Sequence, residues 1–137
     1  MMTIGTNAEP FMEEDEGVLN RTKWVRIMCD FSANGIWDKQ GYSCHFDELP
    51  VSADVKSMIA GWQEWYEHSE HSEMSHWFDA GAHAAFGLFI ARLVKRQLPD
   101  WTVIYFDEAA YLDRLPGTQR DQFEYEIDII PDGTFSK

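Results

Sequence analysis

Residues 78–106 read FDAGAHAAFGLFIARLVKRQLPDWTVIYF, and within this stretch the apolar period changes from that of a helix to that of a strand. Phe78, Ala82, Ala85, Phe86, Phe89, Ile90, Leu93 and Val94 recur three and four residues apart and make one broad stripe. Arg92, Lys95 and Arg96 fall in the last turns, where cations suit the negative end of the helix dipole, and Pro99 stops the helix. Gly81 and Gly87 each cost such a helix about 1 kcal/mol relative to alanine, so they are expected to mark close packing against a sheet. Trp101–Phe106 is then apolar on both faces apart from Thr102, which predicts a central strand covered on at least one side.

Working upstream, Val55, Met58, Ile59, Trp62 and Tyr66 share one helical face. Ser52 is a good N-cap and Asp54 suits the positive end of the dipole, so a helix is expected over Ala53–Glu67. The serine-rich segment His68–His76 reads as a frayed helix end or a loop. Before Pro50, Val25, Ile27, Cys29 and Phe31 alternate with Trp24, Arg26, Met28 and Asp30, the period of a strand with one apolar face. Asn34-Gly35 and Lys39-Gln40-Gly41 give turn signals, so Ile36-Trp37 and Tyr42–Phe46 continue an antiparallel meander. Downstream, Phe123, Tyr125, Ile127 and Ile129 alternate with Glu124, Glu126 and Asp128, predicting a last strand. The expected fold is α+β: an antiparallel-rich sheet of about four strands with two helices packed on one face. Residues 21–137 are expected to form a single domain. Residues 1–20 read as a flexible acidic leader, since Glu9, Glu13, Glu14, Asp15 and Glu16 repel one another with no base to offset them.

A chain of 137 residues, 45% hydrophobic and 15% aromatic, is long enough for a core and too apolar for disorder. Two cysteines, Cys29 and Cys44, are too few for a disulfide scaffold. Met1–Glu16 has neither a basic n-region nor an apolar h-region, and no stretch approaches the length of a membrane span. Cytoplasmic residence with reduced thiols is the expectation.

No complete catalytic motif is present. His68, His71 and His76, interleaved with Glu67, Glu70 and Glu73, are weak metal candidates, with Cys44-His45 as further ligands, but the usual zinc spacings are absent. His68-Ser69-Glu70 matches half of a zinc deaminase signature without the second half. There is no G-x-S-x-G elbow and no phosphate loop, so no catalytic residue and no cofactor are expected. Cys29, on the apolar side of its strand, reads as a small hydrophobe, and His83 as a hydrogen-bonded residue at the core boundary. Asp107-Glu108 could hold a metal or act as acid and base, but an ordinary strand-to-loop exit is the favoured reading.

Charge is the remaining signal. The formal net charge is -13, from 24 acidic and 11 basic residues. Between Asp47 and Asp79 there are eight acidic residues against Lys56, and between Asp107 and Lys137 eight against Arg114, Arg120 and Lys137. Glu124, Glu126 and Asp128 project from one strand face, where like charges repel. Such a surface resists nucleic acid and anionic membranes and favours a basic protein partner. Asp107, Glu108, Glu124, Glu126 and Asp128 are therefore candidate partner-binding residues. Trp65, Trp77 and Tyr111, which the core stripes do not need, are candidate aromatic anchors.

Arg26–Trp37 (RIMCDFSANGIW), Glu48–Ser52 (ELPVS), Trp62–Glu67 (WQEWYE) and Leu98–Glu108 (LPDWTVIYFDE) together resemble a widespread family of small bacterial proteins. The resemblance covers about residues 24–108. That family is loosely similar to bacterial antitoxin and immunity proteins, which implies a non-enzymatic inhibitor. Such an inhibitor would neutralise a basic toxin, nuclease or nucleic-acid-binding effector. A small metal-binding protein or metal-dependent enzyme using the histidine cluster, and a homo-oligomeric regulatory or structural subunit, are the alternative expectations.

Overall fold

A computed structural model of the chain describes residues 13–70, 79–107 and 126–130. Helix α1, Glu13–Thr22, leads into strand β1, Trp24–Ile27, followed by the short strands β2, Ile36–Trp37, and β3, Ser43–Cys44. A single 3-10 turn, Phe46–Glu48, precedes α2, Ala53–Glu67. A second 3-10 turn, His68–Glu70, follows α2 directly. Helix α3, Ala80–Gln97, then runs into β4, Thr102–Phe106, and the last strand, β5, is Glu126–Asp128.

The fold class is α+β, as expected, with two differences in the sheet. Among the described residues it has five strands, where about four were expected, in the order β3-β2-β1-β4-β5, and it is mixed. The pairs β1–β2, β2–β3 and β4–β5 are antiparallel, whereas β1 and β4 run parallel in the register Val25 opposite Val103 and Ile27 opposite Tyr105. The parallel pair follows from the connection. A chain that leaves β1 and returns along a helix lying antiparallel to the next strand must enter β4 in the direction of β1.

Val25, Ile27, Ile36 and Val103 are fully buried, and Tyr105 nearly so, on the face covered by α2 and α3. Val55, Ile59 and Trp62 meet that face from α2, and Ile90, Ala91 and Val94 from α3. Both helices start where the local chemistry places them. The Ser52 hydroxyl accepts from Val55 N, and the Asp79 carboxylate accepts from Ala82 N at 3.0 Å. The two glycines of α3 differ. Gly87 is buried against Trp62 and Tyr105, as expected, whereas Gly81 is exposed and packs against no strand.

Glu13–Thr22, part of them within the stretch expected as a leader, form α1, broken at Gly17 where φ is 74°. Leu19 anchors this helix, fully buried in the common core. Strand β1 also ends earlier than its alternation suggests: Phe31 leaves the apolar face and is exposed, because Ser32 at φ 64° and Gly35 at φ 86° turn the chain toward β2. Phe78, Phe123 and Tyr125 lie outside the described residues.

Candidate functional site

Because β1 and β4 are parallel, their carboxyl ends lie together, and the chain leaves them in opposite directions, from β1 toward β2 and from β4 toward β5. The antiparallel helix pair has its polarity fixed against the sheet. Ser52 N donates to Gln97 Oε1 at 2.8 Å at the end holding the amino ends of β1 and β4. Trp62 Nε1 donates to His83 O at 2.9 Å at the other.

The lysines and arginines, unlike the carboxylates, are sorted along this axis. Arg21, Lys23, Lys56, Lys95 and Arg96 lie toward the amino ends of the parallel strands, where Lys23 Nζ meets Asp100 at 3.2 Å and Lys56 Nζ meets Asp47 at 3.7 Å. The Lys23 ammonium holds the Asp100 carboxyl below its ordinary value. Toward the carboxyl ends stand Asp30, Glu64, Glu67, Asp79 and Asp107, and among the described residues no lysine or arginine stands with them. Asp30, Glu64, Glu67 and Asp79 form no ion pair among the described residues.

Beneath this acidic end is an aromatic knot around His83. The imidazole is 1% exposed, stacked on Trp62 at 5.0 Å and met edge-on by Trp65 at 4.9 Å. Its Nε2 lies 3.1 Å from the Trp62 carbonyl and 3.7 Å from Cys29 Sγ. A thiol beside an imidazole has the composition of an activated nucleophile. Here both groups are buried, with Cys29 only 5% exposed, so the pair packs the core. Burial lowers the His83 pKa, against a smaller opposing effect of the Trp62 carbonyl. On unfolding the ring regains its ordinary value near 6.5 and takes up a proton, so the unfolded chain is favoured as pH falls below that value. The midpoint of urea unfolding is therefore expected to fall between about pH 7 and pH 5. A His83→Asn variant, less stable overall, is expected to lose most of that slope. An equally steep decline in His83→Asn would assign the acid sensitivity to other groups.

The candidate residues read from the sequence are dispersed. Glu126 lies 2.9 Å from Arg26 Nε in an ion pair whose side chains are 15% and 8% exposed, so its charge is offset within the fold. Asp128 is exposed on β5, opposite Ile104, and Asp107 stands half-buried just past β4. Trp65 is half-buried against His83 and Phe86, not surplus to packing. His68 caps the carboxyl end of α2 as an exposed side chain. Glu108, Tyr111, Glu124, Trp77, His71 and His76 lie outside the described residues. Among the described residues, no three histidine, cysteine, aspartate or glutamate side chains gather as a metal site would require. Burial, with the Glu48 and Asp38 carboxylates adding to it, pushes the Cys44 thiol up to about 11, so it is a poor nucleophile or metal ligand near neutrality. Asp30, Phe31, Glu64 and Glu67 were not singled out by pattern. Only the parallel pairing of β1 with β4 and the direction of α2 bring them to one end.

A family model described as Serratia CdiI immunity protein-like matches residues 23–108, from the start of β1 to just past β4. This agrees with the resemblance to immunity proteins read from the sequence over nearly the same residues. No curated protein matches the chain.

Proposed function

The chain belongs to the Serratia CdiI immunity protein-like family, and on that premise we propose that it is a non-enzymatic immunity protein that binds a basic toxin and blocks it. The observation carrying this reading is that the described lysines and arginines gather toward one end of the sheet and leave the other to carboxylates. Asp30, Glu64, Glu67 and Asp79 stand at one end with no lysine or arginine described among them. Toxins that act on nucleic acid present basic clefts to phosphate. An acidic end steers toward such a cleft and competes with the substrate for it. The cytoplasm is the compartment proposed, supported by two buried cysteines that are not joined in a disulfide. Among the described residues no helix is long and apolar enough to cross a membrane.

The docking surface proposed is the acidic end and not the strand face of Glu124, Glu126 and Asp128, because Arg26 already answers Glu126. The test is capture of the purified product of the adjacent gene, followed kinetically. Reversing Glu64 and Asp107 to lysine is expected to slow association about tenfold or more at low salt, with a smaller effect on dissociation. Reversing Arg21 and Arg96 to glutamate, at the opposite end, is expected to leave association as fast or faster. Equal rates in both double variants, or no capture by the parental chain, would remove this reading.

A further inference from the structure

The acidic end carries an aromatic side chain that charge alone does not explain. Phe31 is 38% exposed, with its ring 4.7 Å from that of Tyr66. The loop bearing it is tied on both sides. Phe31 N donates to Asp30 Oδ1 at 2.8 Å, Ser32 N donates to Glu67 Oε2 at 2.7 Å, and Gln63 Nε2 donates to Asp30 O at 2.7 Å. A large side chain held out by a tethered loop loses little freedom when a partner covers it.

The surroundings are rich in acceptors. Gln63 is 6% exposed, and its amide nitrogen serves both Asp30 O and Glu67 Oε2. Its own Oε1 is buried without a donor. Neither Asp30 nor Glu67 has a cation among the described residues. A part-exposed aromatic ring beside two carboxylates that have no lysine or arginine among the described residues suits one kind of group: a planar cation with several donors. Tyr42, more exposed still, sits on the β2–β3 turn toward the basic end, so it is not part of this corner.

Resting on the immunity reading, we propose that Phe31, backed by Tyr66, is the anchor of the docking surface and takes an arginine side chain of the basic partner. The guanidinium lies on the Phe31 ring, with Asp30 and Glu67 supplying the counter-charge. Arginine is preferred over lysine because its flat, weakly hydrated head stacks on an aromatic face while still donating to carboxylates beside it.

Calorimetric titration of the full chain with deca-arginine and deca-lysine, peptides of equal charge, tests the anchor without the toxin. The parental chain is expected to bind deca-arginine about fivefold more tightly than deca-lysine. Phe31→Ala is expected to abolish that preference, and Phe31→Trp to keep it, with unchanged urea midpoints showing that both variants fold. Equal affinity of the parental chain for the two peptides, or a preference surviving in Phe31→Ala, would overturn the anchor. Capture of the adjacent gene's product is then compared between the parental chain and Phe31→Ala. A tenfold or greater loss is expected for an interface hot spot (about 1.4 kcal/mol per tenfold). Undiminished capture by Phe31→Ala overturns the anchor while the immunity reading stands. Failure of the parental chain to capture it removes the immunity reading, and the partner named here with it.

Discussion

Substituting valine for Gly87 is expected to unfold a large share of the molecules at room temperature, and alanine to weaken the fold by about 1–3 kcal/mol. A Cβ at this position would stand 2.9 Å from Trp62 Cε2 and 3.0 Å from Tyr105 Cε1, and nearer still to Trp62 Cζ2. Neither ring is free to slide away. Trp62 Nε1 donates to His83 O, and Tyr105 Oη donates to Ala84 O at 2.7 Å, so both are tethered to the first turns of the helix that would push them. Alanine recovers about 1 kcal/mol of helix propensity relative to glycine, which makes a net loss a stringent outcome. The clash also has a signature. Trp62→Phe removes the ring atoms in the way, so Gly87→Ala is expected to cost at least about 1 kcal/mol less in the Trp62→Phe background. Urea unfolding of the four proteins measures this, and additivity would mean that the helix sits further from the sheet than the contact implies.

Why Gly87 was partly legible and α1 was not comes down to the range of the forces involved. The bounds of α2 follow from Ser52, Pro50 and a five-residue apolar stripe, all local. The reading of a glycine as a close approach likewise needed only its cost in an otherwise strong helix. Helix α1 places Leu19, fully buried, in the core after a run of carboxylates, and nothing in that run signals what Leu19 meets. The parallel pairing of β1 with β4 depends on the path of two intervening helices, so alternation within either strand is silent about it. The acidic end inherits that limit. Its carboxylates come from a loop after β1, the last turn of α2, the cap of α3 and the exit of β4, and sequence runs of charge do not predict which of these converge. Nor does a run of carboxylates announce a distant base: the ion pair of Glu126 with Arg26 joins residues far apart in the chain.

Removing Arg26 is expected to be among the most damaging single changes, at about 3–5 kcal/mol, because it strands the Glu126 carboxylate in a site shielded from water. The ion pair spans the sheet: Arg26 lies on β1, Glu126 on β5, and β4 runs between them. The guanidinium also lies 5.5 Å from the centre of the Trp24 ring. Desolvating both charges is costly, so the intact pair need not add net stability; what it adds is a penalty for any register in which β5 is not seated. Arg26→Met and Glu126→Leu should therefore each be severely destabilised, while the double variant should come within about 1 kcal/mol of the parental chain. Hydrogen exchange separates detachment of the edge strand from global unfolding, since Ile129 N bonds to Val103 O at 3.0 Å. That amide is expected to exchange faster than those of β1 in Arg26→Met and to regain protection in the double variant. A double variant as weak as the sum of the singles would show that the pair is net stabilising and not merely selective. The same geometry decides how the docking surface has to be probed. A lysine at position 126 would face Arg26 and release β5, so lost capture in that variant would report a damaged sheet. Reversal of Glu64 and Asp107 leaves that ion pair intact, and its effect on association can be read as recognition.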